Sequence, residues 1–183
     1  MKILKILGIA IAVLAILVVS FLAYLGFFAK YTVSEISTGP YLMAYESFIG
    51  PYPETGKIFD KVYKSLKADG IKTKRGLGIY YDDPAKVPAE KLRSDCGVII
   101  ENPDQNLFAT IKNKYNVKQI VKAKRMVVEF PKKNMLSYFI GPMKVYPLFE
   151  KHAKAQGYSA STLGIEIYDE NNKKIIFMMD INT

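Results

Sequence analysis

The chain has one cysteine, one histidine and no tryptophan among its 183 residues. With Cys96 alone, no disulfide can close within the chain and no thiolate metal site can form. His152, the single histidine, falls on a helical stretch between charged neighbours and reads as a surface residue. No Ser/His/Asp set is visible. Gly76 and Gly78 lack a third glycine and do not open a helix, so no phosphate-binding loop is present. Acids are scarce: 17 Asp and Glu against 26 Lys and Arg, a net charge of +9. The acidic pairs Asp82-Asp83 and Asp169-Glu170 sit at strand ends, where carboxylates serve turns. Nothing here asks for a metal or a cofactor. Cys96 enters an apolar strand and reads as a small core residue, not a nucleophile.

What is present is enough apolar material for a core: half the residues are hydrophobic, including 13 Tyr and 10 Phe. The basic excess favours proximity to polyanions, either an anionic lipid surface or nucleic acid. The first 30 residues are the most biased. From Ile6 to Phe28 there is no charge, and as a helix the run spans ~35 Å, enough for a bilayer core of ~30 Å. Its length and the poor Leu25–Ala29 cleavage site favour an uncleaved single-pass anchor over a signal peptide. Lys2, Lys5 and the terminal amine precede it, which favours a cytoplasmic N-terminus and a domain on the far side.

The tetrapeptide Phe-Ile-Gly-Pro occurs twice, at Phe48–Pro51 and Phe139–Pro142. Each copy precedes an amphipathic pattern that a glycine ends, Gly70 and Gly157. Alternating strands follow at 76–83 and 163–170, then at 96–101 and 174–181. Strands at 41–48 and 135–140 lead into the two copies. The reading is an internal duplication, strand-helix-strand-strand twice, with the second helix starting near Tyr146 because Pro147 fits only a first turn. The expected fold class is α+β: an N-terminal transmembrane helix (1–30), then a domain at 31–183. Repeat one covers about 31–101, a polar basic linker about 102–122 and repeat two about 123–183. An antiparallel sheet carries both helices on one face and leaves its other, curved face free as a ligand groove between the repeats.

The stretch GPYPETGKIFDKVYKSL, followed by GIYYDDPAKVPAEKLRSDCGV, resembles the first half of the GyrI-like small-molecule-binding superfamily, which includes effector-binding domains of AraC- and MerR-type regulators. Asp83-Pro84, Val87-Pro88, Arg93 and Gly97 carry the likeness, and GIEIYDEN resembles the closing motif. An anchor before such a domain is similar to the testis-expressed protein 264 group. The acidic disordered tail of that group has no counterpart up to Thr183, so a tail-borne receptor function is not expected. Nor does an apolar segment at 1–30 leave room for a helix-turn-helix, so no direct nucleic-acid partner is expected.

Glu166 shares a strand face with Tyr168. Aligned on the Tyr-Asp pairs, it falls where the first repeat has Ile79. The resemblance implies that Glu166 is the pocket carboxylate. Tyr168, Tyr45 and Tyr80, on or beside strands, complete the candidate ligand-binding set. A carboxylate among rings suits a cationic or amphipathic small molecule. The leading expectation is a membrane-tethered small-molecule-binding protein, held in lipid by residues 6–28. The alternatives are a hydrolase of electrophilic small molecules with Glu166 as its catalytic group, and an interaction scaffold with a vestigial pocket. A Glu166 paired to lysine in a filled groove would favour the scaffold.

Overall fold

The structure is a computed structural model that describes every residue except Met1, Ala160 and Thr183. A 23-residue helix, α1 (Lys2–Tyr24), comes first, and every residue described in it but one is exposed. It is the one described helix long and apolar enough to cross a membrane. Gly26 ends it in the left-handed region (φ 80°), and the Phe27 amide reaches back to the Leu22 carbonyl, a glycine-type helix stop.

The rest is one α+β domain. In chain order come β1 (Ser34–Thr38), β2 (Tyr41–Ile49), α2 (Gly56–Ala68), β3 (Arg75–Tyr80) and β4 (Arg93–Ile99). Then follow α3 (Gln105–Lys114), β5 (Asn116–Ile120), β6 (Ala123–Pro131), α4 (Ser137–Gln156), β7 (Gly164–Asp169) and β8 (Lys174–Asp180). The strands form one antiparallel sheet in the order β1-β6-β8-β7-β3-β4-β2-β5. Strand-helix-strand-strand occurs twice in it, as β2-α2-β3-β4 and β6-α4-β7-β8.

The first of these units follows the sequence pattern closely; the second does not. Residues 135–140 are not a strand. They are the turn into α4 and its first residues, and the leading strand is β6, twelve residues earlier at its start. The second Phe-Ile-Gly-Pro therefore lies inside a helix, while the first closes a strand. Gly50 needs its unusual φ of 149°, whereas Gly141 is a helical residue chosen for closeness: a Cβ there would stand 2.7 Å from the Phe177 ring. Pro142 and Pro147 are both within α4. Burial of Ile140, Val145, Phe149 and Ala153 against the sheet holds the helix through both prolines, an override of local propensity by packing. The segment 102–122 is likewise more than a linker. It supplies α3, capped by the Asp104 carboxylate on the Leu107 amide (2.7 Å), and the edge strand β5.

The helices pack on one face of the sheet. Val62 and Leu66 of α2 and Ile111 of α3 share a core with Ala44 and Val98, and α4 packs on Phe130 and Phe177. The opposite face is not free. Met43, Leu77, Ile99, Val127, Ile165, Ile167 and Met178 are all buried there, and among the described residues no helix lies over them. Connectivity explains this. β1 and β6 lie at one end of the strand order and β2 and β5 at the other, yet residues 39–40 alone join β1 to β2 and 121–122 alone join β5 to β6. Three Cα-to-Cα steps span at most about 11 Å, so the sheet must curl until its ends meet, and it buries its own concave face. Buried Arg125 fastens the seam, donating to the Thr38 carbonyl (3.1 Å) and the Val121 carbonyl (3.2 Å) and pairing with Asp180 (2.6 Å). The open concave groove expected from the sequence is thus filled by aliphatic side chains.

Candidate functional site

The centre of the sheet is the β3–β7 pair, where the two strand-helix-strand-strand units meet. Its register sets Gly78 opposite Glu166, Gly76 opposite Tyr168 and Tyr80 opposite Gly164. Directly opposed residues of an antiparallel pair share a face. Glu166 therefore stands level with Gly78 and not Ile79, which points to the concave side with Leu77. The sequence alignment was one residue out, and with a period of two that slip exchanges the faces. In the corrected alignment Tyr168 follows Tyr80 by 88 residues, and the two hydroxyls meet across the seam at 2.7 Å.

The glycines make this site. Gly78 leaves room for Phe59 of α2 and for the Tyr80 ring, with a Cβ there only 3.1 Å and 2.9 Å from them. At Gly164 a Cβ would lie 2.2 Å from the Tyr146 hydroxyl. Aromatic side chains from α2 and α4 thus descend onto the sheet where it lacks side chains of its own.

Glu166 is buried beneath them. Its Oε1 accepts a hydrogen bond from Tyr146 (2.8 Å) and its Oε2 one from Tyr168 (2.7 Å). Tyr168 spends its proton on the carboxylate, so Tyr80 donates to Tyr168, and a chain of hydroxyls leads to the acid. Rings surround the chain edge to face: Tyr52 on Tyr80 at 4.9 Å, and Phe59 and Tyr138 on Tyr168 at 5.2 and 5.5 Å. Among the described residues no cationic side chain shifts its titration. Burial pushes its pKa up to about 7, more than the two tyrosine hydrogen bonds pull it down. Burial, then the nearby Glu166 charge, drives the hydroxyls of Tyr80 and Tyr146 far above their usual range, and Tyr168 likewise.

Of the four sequence candidates, the structure brings together Glu166, Tyr168 and Tyr80. Tyr45 lies on the other face, where the Lys118 ammonium stands 4.8 Å from its ring centroid. That lysine pairs with buried Asp95, which also accepts from Ser47 and Tyr81 at 2.6 Å each. Burial raises the Asp95 pKa, but these three donors together bring it below its usual value. Tyr146, Tyr52, Phe59 and Tyr138 were not among the candidates. The signal for them was Gly76, Gly78 and Gly164 on one strand face, which called for large side chains from elsewhere.

The other chemistry-bearing residues have partners. His152 and Tyr158 both reach Glu35, at 2.9 and 3.0 Å. Asp82 holds the Arg93 side chain, Asp83 takes the Ala85 amide, and Asp169 takes Asn172. The Cys96 thiol is pushed up to about 12 by burial. Among the described residues no group of three His, Cys, Asp or Glu could hold a metal. Two shallow surface clefts, of about 320 and 230 Å³, are lined by Tyr45 with Lys114 and by Tyr81 with Arg93. Neither includes Glu166. It is the uncompensated buried carboxylate, not the available volume, that singles out the site.

The sequence pattern of the GyrI-like small molecule binding domain matches residues 32–181. The chain is 28% identical to human testis-expressed protein 264 over 137 residues, covering 70% of this chain and 41% of that one. It is 41% identical over 54 residues to a DNA gyrase inhibitor of Enterobacter lignolyticus (strain SCF1), covering 29% of this chain and 34% of that one. It thus spans well under half the length of these curated relatives. Among solved structures, the C-terminal domain of EcmrR superposes with a TM-score of 0.59 at 11% identity, covering 84% of this chain and 98% of that one. SAV2435 bound to tetraphenylphosphonium superposes with a TM-score of 0.54 at 14% identity, covering 84% and 94%.

Proposed function

The chain belongs to the GyrI-like small-molecule-binding family, and from that premise we propose that it is a membrane-tethered receptor for a lipophilic organic cation, held at Glu166. The observation that carries this reading is a buried carboxylate whose hydrogen bonds come from hydroxyls, inside a wall of aromatic rings. Such a site leaves a charge uncompensated. A delocalised cation compensates it without needing water, and each ring face adds about 0.5–2 kcal/mol. Displacement of rings over the β3–β7 seam, Tyr168 and Tyr138 first, opens a groove between the two units, which we read as copies of one ancestral unit. SAV2435, bound to tetraphenylphosphonium, gives the probe its chemistry. In this reading the apolar helix α1 is the tether, and Lys2 and Lys5 before it support a cytoplasmic N-terminus with the domain across the membrane.

The test is titration of the full chain in lipid nanodiscs with tetraphenylphosphonium, against empty nanodiscs. Affinity is expected to rise with pH through about 7, as Glu166 ionises, and to fall at least tenfold in Glu166→Gln at pH 8. Equal affinity in both proteins at pH 8 would remove Glu166 from the reading. An electrophilic ester consumed by wild type but not by Glu166→Gln would move the assignment to the hydrolase.

A further inference from the structure

Helix α4 begins with an apolar face that the domain does not use. Met135 and Leu136 in the turn before it, and Phe139 and Met143 in its first two turns, are exposed, at 72%, 43%, 50% and 68%. Leu136, Phe139 and Met143 are spaced by three and four, and Met135 lies four before Phe139, so they form one continuous stripe. On its other face the same helix buries Ile140, Val145, Phe149 and Ala153.

The place of this stripe indicates what covers it. The segment 133–144 flanks the end of α1. The Lys133 ammonium lies 5.6 Å from the Tyr24 ring centroid and Lys144 lies 5.3 Å from that of Phe27. Leu25, just past α1, is fully buried against Phe130, Ile140 and Phe177. The start of α4 is therefore held beside the point where the apolar helix meets the domain. Lysines bracketing the stripe beside aromatic Tyr24 and Phe27 are the arrangement of a segment lying in a bilayer interface.

We propose that the first two turns of α4 dock in the surface of the bilayer that α1 crosses, with Leu136, Phe139 and Met143 among the acyl chains and Lys133 and Lys144 at anionic headgroups. This rests on the tether reading above. It also gives the site a supply route. Tyr138, between two stripe residues, packs on Tyr168, so a lipophilic cation dissolved in that lipid layer meets the rim of the Glu166 site directly.

The full chain is reconstituted into phosphatidylcholine vesicles with and without phosphatidylglycerol. Single variants Phe139→Cys, Met143→Cys, Tyr63→Cys and Ala15→Cys carry a polarity-sensitive fluorophore; native Cys96 is buried and unreactive. Tyr63, exposed on α2, is the water reference. Nitroxide lipids labelled near the headgroup are expected to quench positions 139 and 143 several-fold more than 63, and more strongly with the anionic lipid, while lipids labelled deep in the acyl chain quench position 15, near the middle of α1. Quenching at 15 but not at 139 or 143 overturns the docking and leaves the tether standing. No quenching at 15 overturns both. A blue-shifted but unquenched probe at 143 means that protein covers the stripe, and likewise overturns the docking.

Discussion

Glu166 has a pKa of about 7 in the fold against roughly 4.3 in an unfolded chain. Between these values the folded state holds a proton that the unfolded state has released. Stability from this group is complete below about pH 4 and is lost as pH rises through about 7. The lost part is on the order of 3 kcal/mol, since each pKa unit is worth about 1.4 kcal/mol. Glu166→Gln keeps a carbonyl that accepts from one tyrosine, its amide donates to the other hydroxyl, which turns to accept, and it carries no charge. The variant is therefore expected to melt higher than wild type at pH 8, by roughly 6–12 °C for a chain of this size, and level with it near pH 4. Calorimetry at both values checks this, and equal melting at pH 8 would show that water relieves the charge. The same substitution stabilises the protein and removes its proposed ligand contact, the expected signature of a group retained for binding.

At the scale of elements, Gly97 shows what the resemblance could name and only geometry could explain. It pairs with Tyr45 where β4 meets β2, and a Cβ there would stand 1.9 Å from the Ala44 carbonyl oxygen and 2.7 Å from the Tyr45 Cα. Both are backbone atoms, so no side chain can move aside. Gly97→Ala is expected to cost about 3 kcal/mol or to prevent folding, read as the urea midpoint. Gly78→Ala meets only ring atoms of Tyr80 and Phe59 and should cost less. The strands β2, β3, β4, β7 and β8 were legible because their alternation is strong and glycines or prolines bound them. The start of α4 was not. Its Phe-Ile-Gly-Pro duplicates a strand exit in letters, and two prolines argue against a helix that packing nonetheless maintains. Glu166 and Tyr168 were legible as a pair on one face. Their closeness to Tyr80 was not, because it depends on a register one residue away from the alignment the Tyr-Asp pairs suggest. Tyr146 marks a helix start in the sequence pattern, which carries no sign of its place over the sheet.

For the whole molecule, the question is where the domain begins. Hydropathy divides the chain near residue 30, and the matched family pattern starts at 32. The packing runs further back. Leu25 is fully buried among Phe130, Ile140, Val145 and Phe177, Phe27 packs on the same cluster, and the Tyr31 hydroxyl donates to the Gly26 carbonyl (3.1 Å). A chain starting at Tyr31 would leave a hole where Leu25 sits. Emptying a buried leucine site costs about 2–5 kcal/mol, so this shorter chain is expected to unfold at clearly lower urea than one starting at Ala23, which lacks most of α1 but keeps the stub. Coincident unfolding curves would mean that the stub only rests on the domain, and that α1 and the Glu166 site are free to move independently. A difference of the expected size makes the exit of α1 part of the same core as α4. The helix that carries Tyr146 to Glu166 would then be fixed in orientation to the apolar helix α1.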